Sequence, residues 1–337
     1  MTSPKERAPR LADVARYAGV SAQTVSRVVN GKGGASEETT ARVLRAVAEL
    51  RYRPNSVARA LATSRTRHIG VIVYDLSVTS PSLALYGVAE EARSHGYSTD
   101  LVTVPDVSVA SLGAAIRSLS QGAVDGILVL APMTGLKSAL SELGRNVPLV
   151  TFDQGGGIGP DSVGVDEVLA AQIATRHLIA LGHREIHFLG GPEGWAASEA
   201  REAGWRREMA LSSLQVQPPA QPTDWSPRAG YRTALEMIKR GLPSGLVISS
   251  DTLAVGALAA LRNQGVAVPR DLSVVSLDGS PVAEFQTPPL TSVLLDFVSA
   301  GRAALRQLLK IIGVDETPTP DDALLPRLIE GQSTRAV

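Results

Sequence analysis

The sequence contains no cysteine among its 337 residues, which excludes disulfide bonds, thiolate metal sites and cysteine catalysis. Aromatic residues make up only 4% of the chain, so its core has to be built mainly from Ala, Val and Leu. No apolar run approaches the ~20 residues that a membrane-spanning helix needs. The basic N-terminus also lacks the apolar stretch of ~7–15 residues that marks a secretory signal. These absences predict a cytoplasmic protein that does not contact a membrane.

The formal net charge is zero, but the charges are unevenly distributed along the chain. Residues 1–67 hold 13 Lys or Arg against 5 Asp or Glu, and the remaining residues carry the opposite excess. A basic segment attached to an acidic body is typical of a small module that binds a polyanion. The alternative, a solvated basic tail, is disfavoured because the basic residues alternate with apolar ones at helical spacing. The chain is also long enough for two or three domains.

Three helices are predicted in the basic segment, with the spacing of a helix-turn-helix. Gly19 supplies the turn after the first helix, where a positive φ costs it little. Ser21 can cap the second helix, AQTVSRVV, and a third helix begins at Ser36. A small residue, a glycine and an apolar residue at positions 15, 19 and 25 complete the helix-turn-helix pattern. The residues predicted to pack between the helices are Leu11, Val14, Ala15, Ala18, Val25, Val28, Val29, Val43, Leu44, Val47 and Leu50.

The second helix leaves a polar face that the packing does not use. Gln23, Ser26, Arg27 and Asn30 carry hydrogen-bonding groups on this face, and Ala22 lies beside them. An exposed helix of this kind fits a major groove, where Gln and Arg can each make two hydrogen bonds to a base edge. A helix-turn-helix pattern alone is only moderately specific, and the basic charge of the segment strengthens it.

The stretch LADVARYAGVSAQTVSRVVNG, followed by AELRYRPNSVARALAT, resembles the head of the LacI/GalR family of transcriptional regulators. The resemblance continues through DWSPRAGY, SSDTLAVGALAAL, LSVVSLDG and PPLTSV. It implies a three-helix helix-turn-helix head and a hinge helix, followed by an α/β core of two Rossmann-like lobes of the periplasmic-binding-protein type. It also implies that Ala22, Gln23 and Arg27 read bases. The family usually has Thr or Ser before its first helix, whereas this chain has Arg10, so the helix cap is missing or supplied otherwise.

The stretch PNSVARALATSRTR, residues 54–67, is predicted to be a hinge. Pro54 ends the third helix, and Asn55 can cap the short segment SVARALA. This segment is shorter than the ~12–15 residues that an isolated helix needs, so we expect it to be disordered off DNA and helical on DNA. The resemblance places Asn55 among the DNA contacts and implies that Leu61 inserts into the minor groove, as apolar wedges do. A plain linker is the alternative on composition, and the family match disfavours it.

From His68 onward, β-branched runs alternate with helical stretches. Repeated βαβ units predict doubly wound parallel sheets, and the strands are too many for one sheet, so two lobes are expected. The predicted strands are HIGVIVYD, STDLVTV, DGILVLAP, PLVTFDQ, EIHFLGG, GLVISSD and LSVVSLDG. The predicted crossover helices are SLALYGVAEEARSHG, LAAQIATRHLIALG, GYRTALEMIKRG and DTLAVGALAALRNQG. With the resemblance, the predicted division is a DNA-binding domain (1–53), a hinge (54–67) and a core (68–337), with one lobe at about 68–165 and 297–323 and the other at about 166–294 and 324–334.

Motifs for enzymatic chemistry are weak in this sequence. No G-x-G-x-x-G follows the first strand, no phosphate loop ending in GK[ST] is present, and there is no G-x-S-x-G. HREIH, residues 183–187, is similar in its letters to a zinc motif, but we interpret His183 as a loop residue and His187 as a strand residue. Two residues four apart on a strand lie ~13 Å apart, which is too far to share a metal. The sequence therefore predicts no enzyme, no cofactor and no metal.

Polar residues at strand ends form a better candidate site. Ligands of α/β folds bind beyond the carboxyl ends of strands, where carboxylates such as Asp153 and Asp278 can accept hydrogen bonds from sugar hydroxyls. Arg201 can donate, and Trp225 offers an apolar face. Asp251 also follows a strand, but we interpret it as a helix cap.

The resemblance implies effector contacts at Asp153, Arg201, Trp225, Asp278 and Phe297. These matches make a galactoside a candidate effector. Two positions depart from the family pattern and weaken that candidate, because Ser250 is shorter than the usual Asn and Leu295 cannot hydrogen-bond as the usual Gln does. Ser82 is a further candidate from the first lobe.

These features together predict a transcriptional repressor of sugar-utilisation genes that is released from a pseudo-palindromic operator by a sugar. Two heads require a homodimer, and the chain shows no leucine heptads for a tetramer. A corepressor-dependent regulator of the same family is one alternative. A sugar-binding transport protein is another, disfavoured by the basic head. An enzyme on a Rossmann-like scaffold is the third.

Overall fold

The computed structural model describes residues 9–29, 33–52, 65–106, 108–122, 124–130, 147–153, 162–314 and 324–337. The chain divides into two compact units, Met1–Thr66 and Arg67–Val337, which we call the head and the core. Three of the predicted DNA contacts, Asn30, Asn55 and Leu61, lie outside the described residues.

The head contains three helices among its described residues: α1 (Leu11–Ala18), α2 (Ala22–Val29) and α3 (Glu37–Glu49). Gly19 ends α1 with φ +64°, as the turn requires. Ser21 accepts a hydrogen bond from the Thr24 amide at 3.1 Å, so the predicted cap of α2 is confirmed. Ser36 caps α3 in the same way. The cap of α1 comes from within the helix, because the Asp13 carboxylate accepts the Arg10 amide at 2.9 Å.

The three helices of the head enclose a small apolar core. Val14, Val25 and Val43 are fully buried in it, as the spacing predicts. The prediction for Leu44 is wrong, because 53% of this residue is exposed and Ala46 is buried instead. The buried face of α3 is centred on positions 43 and 46, and a residue directly after Val43 is rotated by about 100° around the helix axis.

The described residues of the core form two five-stranded sheets. The first has the order β2-β1-β3-β4-β5 and is parallel throughout. The second has the order β10-β9-β8-β7-β6, in which only β10 is antiparallel. The strands are β1 (His68–Val73), β2 (Ser98–Thr103), β3 (Gly126–Leu130), β4 (Leu149–Asp153), β5 (Ser162–Gly164), β6 (Ile186–Leu189), β7 (Gly245–Ile248), β8 (Ser273–Asp278), β9 (Thr291–Leu294) and β10 (Arg327–Ile329).

Helices cover these sheets, and the predicted α/β fold class is confirmed. The helices of the core are α4 (Thr79–Ser94), α5 (Val109–Gln121), α6 (Glu167–Ala180), α7 (Ala196–Leu211), α8 (Pro227–Arg240), α9 (Asp251–Asn263), α10 (Pro281–Glu284) and α11 (Phe297–Ile311). We refer to the first sheet with α4, α5 and α11 as the first lobe, and to the second sheet with α6 to α10 as the second lobe. None of the helices in the described ranges has both the length and the apolar character needed to cross a membrane.

Close helix packing builds the first lobe. Helices α4 and α11 cross where Gly87 meets the Val298 carbonyl and Gly301 meets the Ala84 carbonyl, and a Cβ at either glycine would lie about 2.1 Å from that oxygen. The chain therefore returns to the first lobe after β9 and enters the second sheet again at β10. This return leaves the carboxyl ends of β1, β6, β7 and β8 available to line a cleft between the lobes.

Candidate functional site

The exposed face of α2 is the candidate nucleic-acid interface of the head. Ala22, Gln23 and Arg27 are exposed, and Ser26 is half-buried. Val25 lies on the opposite side of the helix and anchors it in the head core. The exposed side chains of Ala22, Gln23 and Arg27 are therefore accessible to a groove, while the helix itself is held by α1 and α3.

The candidate effector site is a cleft between the lobes, with about 390 Å³ of empty space. The carboxyl ends of strands, the loops after them and the first turns of the helices that follow supply most of its wall, as expected for an α/β fold. From the first lobe the lining residues are Ser77, Val78, Thr79 and Ser80. From the second lobe they are Trp195, Ala197, Arg201, Trp225, Ser250, Thr252 and Asp278. Four of the predicted effector residues, Arg201, Trp225, Ser250 and Asp278, thus meet in one place.

Arg201 is the polar centre of this cleft, although only 2% of the residue is exposed. Its Nε and Nη2 donate to the two carboxylate oxygens of Glu167 at 2.7 and 3.0 Å. Nη2 also donates to Asp278 Oδ1 at 2.9 Å, and Nη1 donates to the Ser249 carbonyl. Four hydrogen bonds use four of the five guanidinium hydrogens. The guanidinium is therefore rigidly placed, with one N–H left for a ligand.

Two buried carboxylates share this one guanidinium. Burial raises the pKa of Asp278 to about 7, and the nearby Asp251 and Glu167 carboxylates act in the same direction, while Arg201 opposes the shift. Burial also raises the pKa of Glu167, against the attraction of Arg201. Burial alone would lower the pKa of Arg201, but Glu167 and Asp278 together raise it. The cleft therefore holds a carboxyl group that titrates near neutral pH.

The backbone at Asp278 is strained. This residue ends β8 with φ +101°, a conformation that non-glycine residues rarely adopt. Gly279 follows with φ +62°, and a Cβ there would lie 2.4 Å from Leu294 Cα. Such strain costs roughly 1–3 kcal/mol and is typical of functional sites. It turns the Asp278 carboxylate toward Arg201.

Aromatic rings form the apolar side of the cleft. The Trp225 ring lies 5.7 Å from the guanidinium carbon of Arg201. Trp195 meets Trp225 edge to face, with ring centroids 5.7 Å apart. The Trp225 Nε1 is buried and has no hydrogen-bond partner among the described residues. The cleft thus offers a flat apolar surface beside charged hydrogen-bonding groups, which suits a sugar ring or a nucleobase.

Ser250 both lines the cleft and takes the capping role that the sequence analysis gave to Asp251. Ser250 caps α9 by accepting the Leu253 amide at 3.1 Å, so the interpretation of Asp251 as a cap is wrong. Asp251 is fully buried and accepts hydrogen bonds from the hydroxyls of Ser276, Ser280 and Ser292, and from the Ser280 amide. The Asp side chain therefore ties the ends of β8 and β9 to α9, which stiffens the floor under Asp278.

Two predicted effector residues, Ser82 and Phe297, do not line this cleft, and a third, Asp153, has a side chain outside the described part of the structure. Ser82 is half-buried in α4 and donates to the Leu76 carbonyl at 2.6 Å. Phe297 begins α11 and is 1% exposed within the apolar core. Asp153 ends β4, but its side chain lies outside the described part of the structure. Leu295, at the second departure from the family pattern, is buried.

Several lining residues were not predicted from the sequence, namely Ser77–Ser80 of the first lobe together with Trp195, Ala197 and Thr252. The segment 77–80 follows β1, so its position after the first predicted strand was an available signal. Thr252 directly follows Ser250 and Asp251, which the sequence does single out. Trp195 stands in a loop after β6 and has no distinguishing spacing.

The histidines of HREIH occupy the predicted kinds of position. His183 lies in a loop, where its ring contacts the Ser244 hydroxyl and the Arg335 carbonyl, and His187 lies in β6. Among the described residues, no group of three or more His, Asp or Glu side chains is arranged to hold a metal ion.

Comparisons with known proteins agree along almost the entire chain. The family model "Bacterial regulatory proteins, lacI family" matches residues 10–55, and the model "Periplasmic binding protein-like domain" matches residues 175–334. The lactose operon repressor of Escherichia coli (strain K12) is 33% identical over 304 residues, which cover 89% of this chain and 84% of the relative. The HTH-type transcriptional repressor PurR of Glaesserella parasuis serovar 5 (strain SH0165) is 30% identical over 321 residues, which cover 94% of each.

Solved structures give the same result. A lac repressor dimer bound to operator and the anti-inducer ONPF matches with a TM-score of 0.86 and 29% identity, over 98% of this chain and 100% of the other. A complex of the transcriptional regulator CelR with cellobiose matches with a TM-score of 0.67 and 30% identity, over 96% of this chain and 99% of the other. The chain therefore belongs to the lacI family of bacterial regulatory proteins and is a DNA-binding transcriptional repressor.

Proposed function

We propose that this repressor controls sugar-utilisation genes in the cytoplasm and leaves its operator when a sugar, such as a galactoside, binds in the cleft. The observation that carries the proposal is the cleft itself. Arg201, Asp278 and Trp225 converge there with hydrogen-bonding groups beside an aromatic face, in a chain that begins with a helix-turn-helix head. A sugar presents the complementary surface, with hydroxyls around an apolar ring face.

On DNA, α2 enters the major groove. Gln23 and Arg27 read base edges, while Ala22 contacts an apolar group such as the thymine methyl. Ser26 is half-buried, so it is better placed to contact the backbone than a base edge. Asn55 and Leu61 act in the hinge, which orders on the operator and spreads the minor groove.

In the cleft, each polar group has a defined role. Asp278 Oδ1 is occupied by Arg201, so Oδ2 accepts hydrogen bonds from sugar hydroxyls. Arg201 donates its remaining N–H, and the Ser250 oxygen already accepts the Leu253 amide, so its hydroxyl serves the sugar as a donor. Trp225 packs against the ring face. Ser82, Asp153 and Phe297 remain proposed effector positions on the ground of family resemblance.

A homodimer delivers two heads to the two halves of a pseudo-palindromic operator. One exposed apolar surface of the second lobe suits such an interface. Phe285, just after α10, is 78% exposed, and Val282 within α10 is 41% exposed. Large apolar side chains in this setting favour a protein contact.

Release requires that the sugar binds the DNA-free conformation more tightly than the DNA-bound one. A sugar that bound both equally would shift nothing, however tightly it bound. In this proposal the sugar draws the lobes into an arrangement in which the two hinges of the dimer no longer pair. By linkage, operator DNA lowers the affinity for the sugar by the same factor.

A corepressor is the second candidate, because PurR proteins are among the relatives and the two tryptophans of the cleft equally suit a flat nucleobase. In that case, the ligand would prefer the DNA-bound conformation, and binding to DNA would tighten.

The deciding experiment is fluorescence anisotropy of the full chain on its upstream intergenic DNA, titrated separately with galactosides, glucosides and free nucleobases. We expect release by one class of sugar, and loss of that response in Asp278→Ala with DNA affinity retained. A nucleobase that tightens binding supports the corepressor. If no sugar weakens binding, the induction proposal is wrong.

A further inference from the structure

Trp195 occupies a position that helix capping alone does not favour. It is the N-cap of α7, where Ser, Thr, Asp and Asn stabilise a helix by accepting a backbone amide. Trp195 makes no such hydrogen bond. A residue that breaks a local rule of this kind marks a place where another requirement outweighs helix stability.

The other requirement is visible in the contacts of the indole ring. Tyr74 follows β1 in the first lobe, and its ring centroid lies 5.8 Å from that of Trp195, at an interplanar angle of 54°. On the second lobe, Trp195 meets Trp225 at 5.7 Å and 81°. Both geometries fall in the range of attractive aromatic pairs. Trp195 therefore links a ring of the first lobe to the ring that faces Arg201.

The same indole is also part of the cleft wall and is only half-buried. A molecule in the cleft can therefore touch the side chain that joins the two lobes. A second contact across the cleft is polar: the Thr79 and Thr252 hydroxyls lie 3.4 Å apart. Each of these threonines also lines the cleft. An occupant of the cleft thus meets both of these contacts.

We propose that Trp195 is the residue through which the ligand sets the arrangement of the two lobes, with Tyr74 as its counterpart on the first lobe. This inference rests on the proposed function and adds a coupling residue to it. The ligand packs an apolar ring face against the corner formed by Trp195 and Trp225. Because the far side of Trp195 contacts Tyr74, this packing favours one relative position of the lobes.

The ligand that this corner favours has more than one ring. Successive contacts of 5.7, 5.7 and 5.8 Å lead from Arg201 through Trp225 and Trp195 to Tyr74, so a ligand that touches both Arg201 and Trp195 extends past the Trp225 ring between them. A monosaccharide that stays beside Arg201 would bind with little effect on Tyr74.

The test compares four variants of the full chain: Trp195→Ala, Trp195→Phe, Tyr74→Ala and Trp205→Phe. Trp205 is the matched control, because it lies in the same helix α7 but is fully buried against Phe188 and away from the cleft. For each protein, operator affinity is measured with and without lactose or cellobiose, and galactose and glucose serve as single-ring probes. The ratio of the two operator affinities is the coupling factor.

We expect Trp195→Ala to reduce the coupling factor at least about fivefold and to weaken disaccharide binding. Tyr74→Ala should reduce the coupling factor while changing disaccharide affinity in the absence of DNA by less than about threefold. Trp195→Phe should restore most of the coupling because it keeps a ring, which a merely structural defect would not explain. Trp205→Phe should leave the coupling factor unchanged.

A spectroscopic readout needs no sugar. The chain has three tryptophans, and the emission of the parent minus that of Trp195→Phe isolates Trp195. Operator DNA alone should change this difference spectrum. If a sugar releases the parent and Trp195→Ala equally and the spectrum is unchanged, Trp195 is not the coupling residue, although the proposed function stands. If no sugar releases the parent, both proposals are overturned.

Discussion

Glu167 and Arg201 are joined by two hydrogen bonds of 2.7 and 3.0 Å, and neither residue is more than 2% exposed. The pair lies on α6 and α7 of the second lobe and fixes the guanidinium beneath the cleft. Asp278 binds the same guanidinium, so the two buried carboxylates of the site both rely on Arg201 for their positive partner.

The buried ion network predicts a large and specific loss of stability. Arg201→Ala leaves Glu167 and Asp278 buried without their cation, which should cost about 3–5 kcal/mol of unfolding free energy. Urea unfolding followed by circular dichroism measures this cost. The control is Arg206→Ala on the same helix, whose ion pair with Glu202 is solvent-exposed and should contribute at most about 1 kcal/mol. Equal losses in the two variants would contradict the network.

The raised pKa of Asp278 predicts a pH-dependent stability. In the folded protein this carboxyl keeps its proton up to a pH of about 7, whereas its ordinary pKa is 3.8. The folded state therefore binds more protons between these values, so the stability that Asp278 contributes falls as pH rises through about 7. The parent should lose stability relative to Asp278→Asn between pH 5 and pH 8, by an amount on the order of a few kcal/mol. Parallel pH curves for the two proteins would mean that the pKa is ordinary.

The exposed face of α2 predicts that substitutions there lower both the affinity for the operator and the preference for particular bases. Arg27→Ala and Gln23→Ala should each cost about 1–3 kcal/mol of operator affinity and relax the base preference at one position of each half-site. Arg240→Ala, which removes the same charge as Arg27→Ala but lies at the end of α8, should leave the base preference unchanged. Fluorescence anisotropy on a set of singly substituted operators measures the operator affinity and the base preference of each variant. An unchanged base preference in Arg27→Ala would show that this side chain does not read a base.

The surface around Phe285 predicts the basis of dimer formation. Phe285→Asp places a charge where a second copy would bury an apolar ring, so we expect monomers at concentrations where the parent is dimeric. Leu211→Asp changes a comparably exposed apolar residue, 68% exposed at the end of α7, and should have no effect. Sedimentation equilibrium distinguishes the two. If Phe285→Asp remains dimeric, the dimer interface lies elsewhere on the chain.

Much of the fold could be predicted, because parallel strands and crossover helices carry strong local patterns. The prediction did not include β5, β9 and β10, or the helices α5, α7, α10 and α11. Strand β10 has three residues and an exposed–intermediate–exposed burial pattern, which is too short for a periodicity signal. Helix α7 buries Arg201 and Glu208 on its inner side, so charges interrupt the apolar stripe by which a helix is recognised.

The sequence by itself determined the helix-turn-helix head and the α/β class of the core, because each of these depends on local spacing. Asp278 follows from its position at the end of a strand, whereas Arg201, Trp225 and Ser250 were identified through the family resemblance. Only the tertiary structure decided that Ser250 rather than Asp251 caps α9, and that Glu167 shares Arg201 with Asp278. It also decided that Trp195 joins Tyr74 to Trp225. Each of these contacts unites residues that lie far apart in the chain or compete for one role. Burial and distance select between such residues, and neither quantity is encoded in a short stretch of sequence.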